Sequence, residues 1–538
     1  MKTRYIISLL ATALVFSSCS DFLETEPSGA TITTKQKETV LQRDPAKATA
    51  GVNSLYFQFH EYQSAISGNH NDIGYGGLML LLDGNGYDMV SSTSGYNWFA
   101  ASVTYSSRNY SSDEVYMIWM WMYKQLKIAN GLLESYDKDS PLVSVQSLIG
   151  QAYAVRAFDY WVLAQLFQFN YADHQDAPCV PLITDENALE AANDGIGRST
   201  VKEVYEQIFS DIDNAIAFLE KAEAAGDKRI DKRYVNSAVA YALRARFNLT
   251  TENWTAAAED AAKALALAEK EKLAPYSIAT LKSGPLFWDS ANETSYLWAD
   301  VIDEKDDVVE SAICNFPSHM GSLSYGYGWY SGGRLISKKL FGLISISDAR
   351  HGWWLDAEGH SDILNADFAK VMDSHFGNEP YTQVKFAPYR DEASTTVNAN
   401  DLPLIRVEEL YLIKAEAEAH TNPATALETL TGFVKTYRDT EYAFDSTDGD
   451  EIAEEVYRQR RIEFWGEGIS WFDIMRLNKD VDRRGAGFPK TAVFNIPAGS
   501  DILLYRIPET EINANKKLSD ADNNPAAPSP KAVEDEDA

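Results

Sequence analysis

A mostly α-helical fold, with degenerate tetratricopeptide-like helix pairs and a loop-rich region able to hold a ligand, is predicted by three observations. Long segments repeat apolar residues at helical spacing behind capping signals. Small residues line two neighbouring helices joined by a turn. Residues 286–400 drop this period for short extended pieces, glycine-rich turns and scattered aromatics.

In chain order, Lys2 and Arg4 precede an apolar run from Tyr5 to Phe16, followed by Ser17-Ser18-Cys19-Ser20-Asp21. A basic start, a short apolar core and small residues make residues 1–18 a secretion signal, too short for a membrane-spanning helix. With Cys19 at the processing point it resembles a bacterial lipoprotein signal, which implies a lipidated, palmitate-bearing Cys19 at the mature N-terminus. A plain signal cleaved near Ala11–Ser18 is the alternative. Residues 19–45 are polar and rich in Thr, Glu and Lys, and read as a spacer between lipid and body.

Residues 46–285 read as a helical scaffold with inserted N-terminal loops. Asp83-Gly84-Asn85-Gly86-Tyr87-Asp88 lacks the later ligands of a calcium loop and reads as a tight turn. Ser111-x-x-Glu114 is a capping-box pattern, with Val115, Ile118, Trp119, Met122, Leu126 and Ala129 following at helical spacing. A helix is expected over Ser144 to Phe169. A second box, Thr200-x-x-Glu203, opens a stripe of Val204, Ile208, Ile212, Ile216 and Leu219. From Asn236 to Leu267, small residues on two helices around Asn253-Trp254 suggest either a degenerate tetratricopeptide repeat or an ordinary α-hairpin. After the loop-rich region, helices resume over 401–524. One runs from Leu404 to His420, and the next opens with Asn422 as cap and Pro423 at its first position. Residues 525–538 are Pro/Ala-rich, then acidic, and read as a disordered tail.

Lys and Arg total 48 against 79 Asp and Glu, a net charge of −31. Such a surface repels phosphate backbones, so nucleic acid is not an expected partner. Besides Cys19 there are only Cys179 and Cys314, too few for a disulfide framework; they are either one bridge or two buried thiols. No Cys/His cluster has metal-ligand spacing, and no Walker, G-x-S-x-G or dinucleotide fingerprint occurs, so neither metal nor cofactor is expected. Aromatic residues are plentiful, with 29 Tyr, 23 Phe and 12 Trp.

Four ordered segments resemble the SusD/RagB family of outer-membrane lipoproteins. The most specific is Arg460-Arg461-Ile462-Glu463-Phe464-Trp465-Gly466-Glu467-Gly468-Ile469-Ser470-Trp471-Phe472-Asp473-Ile474-Met475-Arg476. Leu404 to Ala417, Ala154 to Trp161 running on to Val180-Pro181-Leu182, and Tyr505 to Asn513 are similar to further family segments, as is the start Cys19 to Leu23. At its end the chain departs from the family, with Asn523-Asn524-Pro525-Ala526 and an acidic extension, which leaves the docking of its C-terminus open. Physically, the charges of residues 460–476 alternate with Phe464, Trp465 and Trp471, which predicts ion pairs under aromatic cover rather than a catalytic Glu463/Glu467 pair.

A neutral sugar needs flat aromatic faces and a few hydrogen-bonding groups. Two irregular stretches offer both: Asn71 and Asp72 with Tyr96, Trp98 and Phe99, and Tyr325, Tyr327, Trp329, Tyr330 with Arg334. Each aromatic could instead be a buried loop anchor; Trp353-Trp354 is a third candidate that reads as core. The resemblance implies an outer-membrane, cell-surface-facing lipoprotein that captures oligo- or polysaccharide and passes it to a SusC-like TonB-dependent transporter without catalysis. Capture of peptides is the alternative within the family. A helical-toroid glycoside hydrolase or polysaccharide lyase would need carboxylates or a Tyr/His/Arg group converging on the aromatics, and a pure assembly scaffold would retain no glycan.

Overall fold

The computed structural model describes residues 34–44 and 46–536. Its framework is a row of helices, each packed on the next: α1 (Asp113–Ser135), α2 (Val143–Phe167), α3 (Val201–Ala224), α4 (Ser237–Thr250) and α5 (Trp254–Lys270). The row continues from α5 directly onto α6 (Val407–Ala419), which carries α7 (Pro423–Tyr437) and α8 (Gly449–Glu463). Small side chains allow this close stacking: Ala257, Ala261, Ala264 and Ala268 of α5 are all fully buried. The intervening loop-rich segment is thus an excursion from a continuous helical row.

Side-chain caps open α3, α4, α7 and α8. Thr200 and Glu203 form the reciprocal capping box, and Asn422 caps α7 ahead of Pro423. Ser111 does not cap α1, contrary to its pattern. That helix begins at Asp113, and Glu114 turns inward to accept a hydrogen bond from Ser102 Oγ at 2.8 Å. Leu404 to Arg406 is also not helical: Leu402–Arg406 is a strand paired antiparallel with Tyr296–Asp300, and α6 starts after it. Of the turn expected at Asp83 to Asp88, the first half ends a wholly buried helix, Gly74–Asn85, in which the Asp83 carboxylate accepts from the Gly468 N–H, and the chain then bends over 86–88, with the Gly86 N–H donating to the Asp83 carbonyl at 3.2 Å.

The described part of the expected spacer is structured too. Thr34–Arg43 is a helix that buries Leu41. The signal segment and Cys19 lie outside the described residues. The expected disordered tail runs along the body as far as Glu536, with the Val533 N–H donating to the Val493 carbonyl. Cys179 and Cys314 are separate buried thiols.

The family-like block supplies the charged centre of the core. Glu463, fully buried, accepts from Arg438 Nε at 2.7 Å, Arg406 Nη1 at 2.9 Å and Arg350 Nη1 at 3.1 Å. Arg406 also binds Glu467, which binds Lys385, while Asp348 and Glu408 complete the set. Four cations therefore face four carboxylates, and charge is balanced inside the protein. Burial alone would raise the Glu463 pKa, but Arg438, Arg406 and Arg350 hold it well below the carboxylate range. Next to this centre Gly466 has φ +82°, and a Cβ there would stand 2.6 Å from Phe386 Cε2, so both conformation and space demand glycine. Trp353 and Trp354 are fully buried in the same region, as core.

Candidate functional site

The two aromatic stretches, more than two hundred residues apart in sequence, meet through a short antiparallel ladder. Met89 pairs with Ile336 and Val90 with Leu335. Just beyond the ladder, Asn97 locks the loops together: its Oδ1 accepts from Arg334 Nη2 at 2.9 Å and from the Phe99 N–H at 3.1 Å. Both residues are buried, and burial pulls the Arg334 pKa down to about 10 while leaving it a cation at neutral pH.

Above this lock stands a group of rings. Tyr96 lies 5.6 Å from Tyr330 and 6.3 Å from Tyr327, and Trp98 lies 6.2 Å from Tyr327 and 4.4 Å from His70, all between ring centroids. Tyr327 itself is buried and stacks on His319 at 4.7 Å. Tyr325 joins a second group, 6.4 Å from Tyr330 and edge-on at 5.3 Å to Trp329. One face of Trp329 is covered by the His375 ring at 3.5 Å. Tyr96 and Tyr330 are each 57% exposed and Trp98 39%, so three of the four exposed aromatic side chains among the described residues gather here. Retaining such surface in water costs burial free energy, which points to contact with something else.

Four of the expected ligand residues, Asn71, Asp72, Phe99 and Arg334, are buried. Asp72 is fully enclosed and accepts from the Ala65 and Ile66 N–H groups and Trp121 Nε1; burial raises its pKa. Phe99 packs edge-on against His319, and Arg334 holds Asn97. Asn71, also buried, donates to the Trp98 carbonyl at 3.1 Å. These four shape the loops from beneath, leaving Tyr96, Trp98 and Tyr330 outermost, with Tyr325 and Trp329 half-buried beside them.

Three histidines complete the group. His70 directly precedes Asn71 in the first aromatic stretch, whereas His319 and His375 carry no local sequence signal. His319 is neutral, its pKa lowered to about 3 by burial, and its Nε2–H donates to the His70 carbonyl at 2.9 Å. Burial and the neighbouring Cys314 push the Tyr327 hydroxyl up to about 12. The rings therefore carry no charge at neutral pH through these two groups. Behind Trp98 an open cleft of about 470 Å³ is lined by Ser67, Asn69, Ser112 and Asp113. Flat rings beside hydroxyl, amide and carboxylate groups can cover the C–H faces of a sugar and bind its hydroxyls.

Residues 81–249 match a family model described as SusD-like, starch-binding associating with outer membrane, and residues 372–526 match that of the SusD family. No curated protein matches the chain significantly. Among solved structures, a SusD-like carbohydrate binding protein from Bacteroides vulgatus superposes with TM-score 0.71 at 22% identity, covering 89% of this chain and 97% of that one. A SusD superfamily protein from Bacteroides thetaiotaomicron gives 0.70 at 19%, covering 92% and 100%. One from Parabacteroides distasonis gives 0.63 at 18%, covering 88% and 98%. At these identities the likeness speaks for the fold, and together with the two family matches, which span more than half of the sequence, it means that this chain belongs to the SusD family.

Proposed function

We propose that the chain is a glycan-capturing protein of the outer membrane, anchored through Cys19, that binds an oligo- or polysaccharide segment without catalysis and delivers it to a TonB-dependent transporter. The observation carrying this reading is the convergence of Tyr96, Trp98 and Tyr330, exposed and from two distant loops, beside a polar cleft. Membership of the SusD family supports it, as does the description of one family match as starch-binding and of the B. vulgatus relative as carbohydrate binding. No helix among the described residues is long and apolar enough to cross a membrane, which agrees with attachment by lipid.

Retention on polysaccharide affinity gels and a glycan array tests the reading. Trp98→Ala and Tyr330→Ala are expected to weaken the preferred glycan about tenfold or more each, since about 1.4 kcal/mol of lost stacking is a factor of ten. Trp329→Ala should cost less, one of its faces being already covered by His375. Wild-type retention on no glycan, or unchanged retention by the Trp98 and Tyr330 variants, refutes the site. Delivery is tested separately by co-purification with an outer-membrane barrel, and anchoring by release of Cys19→Ala from membranes.

A further inference from the structure

Residues 533–536 of the acidic extension that departs from the family pattern lie on a specific surface. The loop between the strands Val481–Asp482 and Asn495–Ile496 projects Arg484 and Gly485 beside Lys338 and Lys339. Three cations, Lys338, Lys339 and Arg484, thus stand together with Asp482 on a chain of net charge −31. The tail reaches it through residues of matching character. The Asp535 carboxylate accepts from the Gly485 N–H at 2.5 Å, and Glu536 pairs with Lys339 Nζ at 3.0 Å and Arg484 Nη1 at 3.1 Å. Just before them the Val533 N–H donates to the Val493 carbonyl at 2.9 Å, so the tail approaches as an extended segment.

The ledge is prepared for this contact. Asp482 holds Arg484 through Nε and Nη2, which leaves Nη1 for Glu536. Gly485 has φ +65°, and a Cβ there would stand 2.9 Å from Lys339 Cε and 3.4 Å from the Glu536 carbonyl. A side chain at 485 would thus both strain the backbone and crowd the lysine. The ledge also borders a cleft of about 620 Å³ of mixed charge, with Lys339, Arg461 and Lys479 in its walls alongside Glu454, Asp480 and Asp482, and Lys479 paired with Glu454. Yet the tail is held lightly: the Lys339 and Glu536 side chains are 48% and 51% exposed, and such pairs are individually weak and screened by salt.

We propose that this ledge is a docking site for an acidic, extended peptide segment of a partner protein, and that residues Val533–Glu536 are its resident, displaceable occupant. A tethered segment competes at an effective concentration of order mM, so the free ledge appears only when the tail is released or outcompeted. The inference is independent of glycan binding at the aromatic group.

The test uses the full-length chain and the double variant Asp535→Ala/Glu536→Ala, probed with a fluorescently labelled peptide of the sequence 529–538. The peptide should bind the double variant saturably and about tenfold or more tighter than wild type. That binding should weaken about tenfold or more in 0.5 M NaCl, and vanish for the peptide with Asp and Glu replaced by Asn and Gln. Adding Lys339→Glu or Arg484→Ala to the double variant should abolish it, with unchanged circular dichroism confirming the fold. No saturable binding to the double variant, equal binding to both chains, or indifference to Lys339→Glu overturns the proposal. A wild-type dimer that the double variant dissolves also overturns it, by giving the ledge to a second copy of the chain.

Discussion

Replacing Glu463 by Gln preserves shape but removes one of four carboxylates that balance four buried cations. The amide offers one oxygen where Arg350, Arg406 and Arg438 find two, and leaves one net positive charge in a region where the Glu463, Arg350, Arg406 and Arg438 side chains have no solvent exposure. Breaking a buried pair from one side costs about 3–5 kcal/mol. Unfolding entropy is about 2.1 cal/mol/K per residue, so a cooperative unit of roughly 500 residues moves about 1 °C per kcal/mol. A fall in Tm of about 3–5 °C by calorimetry follows. Because the Glu463 pKa is depressed in the fold, its contribution is present above the ordinary carboxylate range and is lost as pH falls through the folded value, so the variant should lose less stability on acidification than wild type. Adding Arg350→Met restores charge balance, and the double variant should be less destabilised than the two single changes summed. As control, Lys202→Ala removes an exposed pair with Glu206 at 4.0 Å and should change Tm by less than about 0.5 °C. A Glu463→Gln Tm within about 1 °C of wild type, or strict additivity with Arg350→Met, would refute the idea that charge balance holds this centre.

Two further predictions concern buried titrating groups. Asp159 on α2 is fully buried with neither carboxylate oxygen hydrogen-bonded, and burial raises its pKa well above normal. It therefore favours the fold only below its unfolded pKa and costs stability as pH rises, so Asp159→Leu should stabilise at pH 7 by about 1–3 kcal/mol, with a smaller gain in Tm at pH 4. His60 is buried between Asp300, at 2.6 Å, and Asp306, at 3.4 Å. Burial would lower its pKa, but the two carboxylates win and lift it to about 10. Its contribution is full below about pH 6.5 and fades as pH rises toward 10, so the Tm advantage of wild type over His60→Gln should shrink between pH 7 and pH 10.

The helical row was legible because its signals are local: apolar spacing in α1 to α3, the Thr200 box, and the alanines of α5. Where sequence reading failed, a distant partner decided. Leu402–Arg406 is a strand because Tyr296–Asp300 lies beside it, and Glu114 abandons its cap for Ser102. The same division runs through the site. Glycine-separated aromatics marked both loops, but which rings face outward depends on the link between Asn97 and Arg334 and on His319 and His375, whose neighbours no local pattern announces. The charged block of residues 460–476 was readable as ion pairs, while Arg350, Lys385 and Arg438, scattered through other segments, were not.

Under the proposed function, the clasp between the two aromatic loops bears on how specificity can change. Neither loop belongs to the helical row, and Tyr96, Trp98, Tyr325 and Tyr330 are the side chains that can be varied there without disturbing what lies beneath. Each loop nevertheless supplies half of one platform, joined through Asn97, Arg334 and a ladder two residues long on each side. A new specificity is therefore a paired invention: libraries that diversify one loop alone should mostly yield mismatched halves, whereas libraries that vary both together around an untouched Asn97 and Arg334 should contain the working binders.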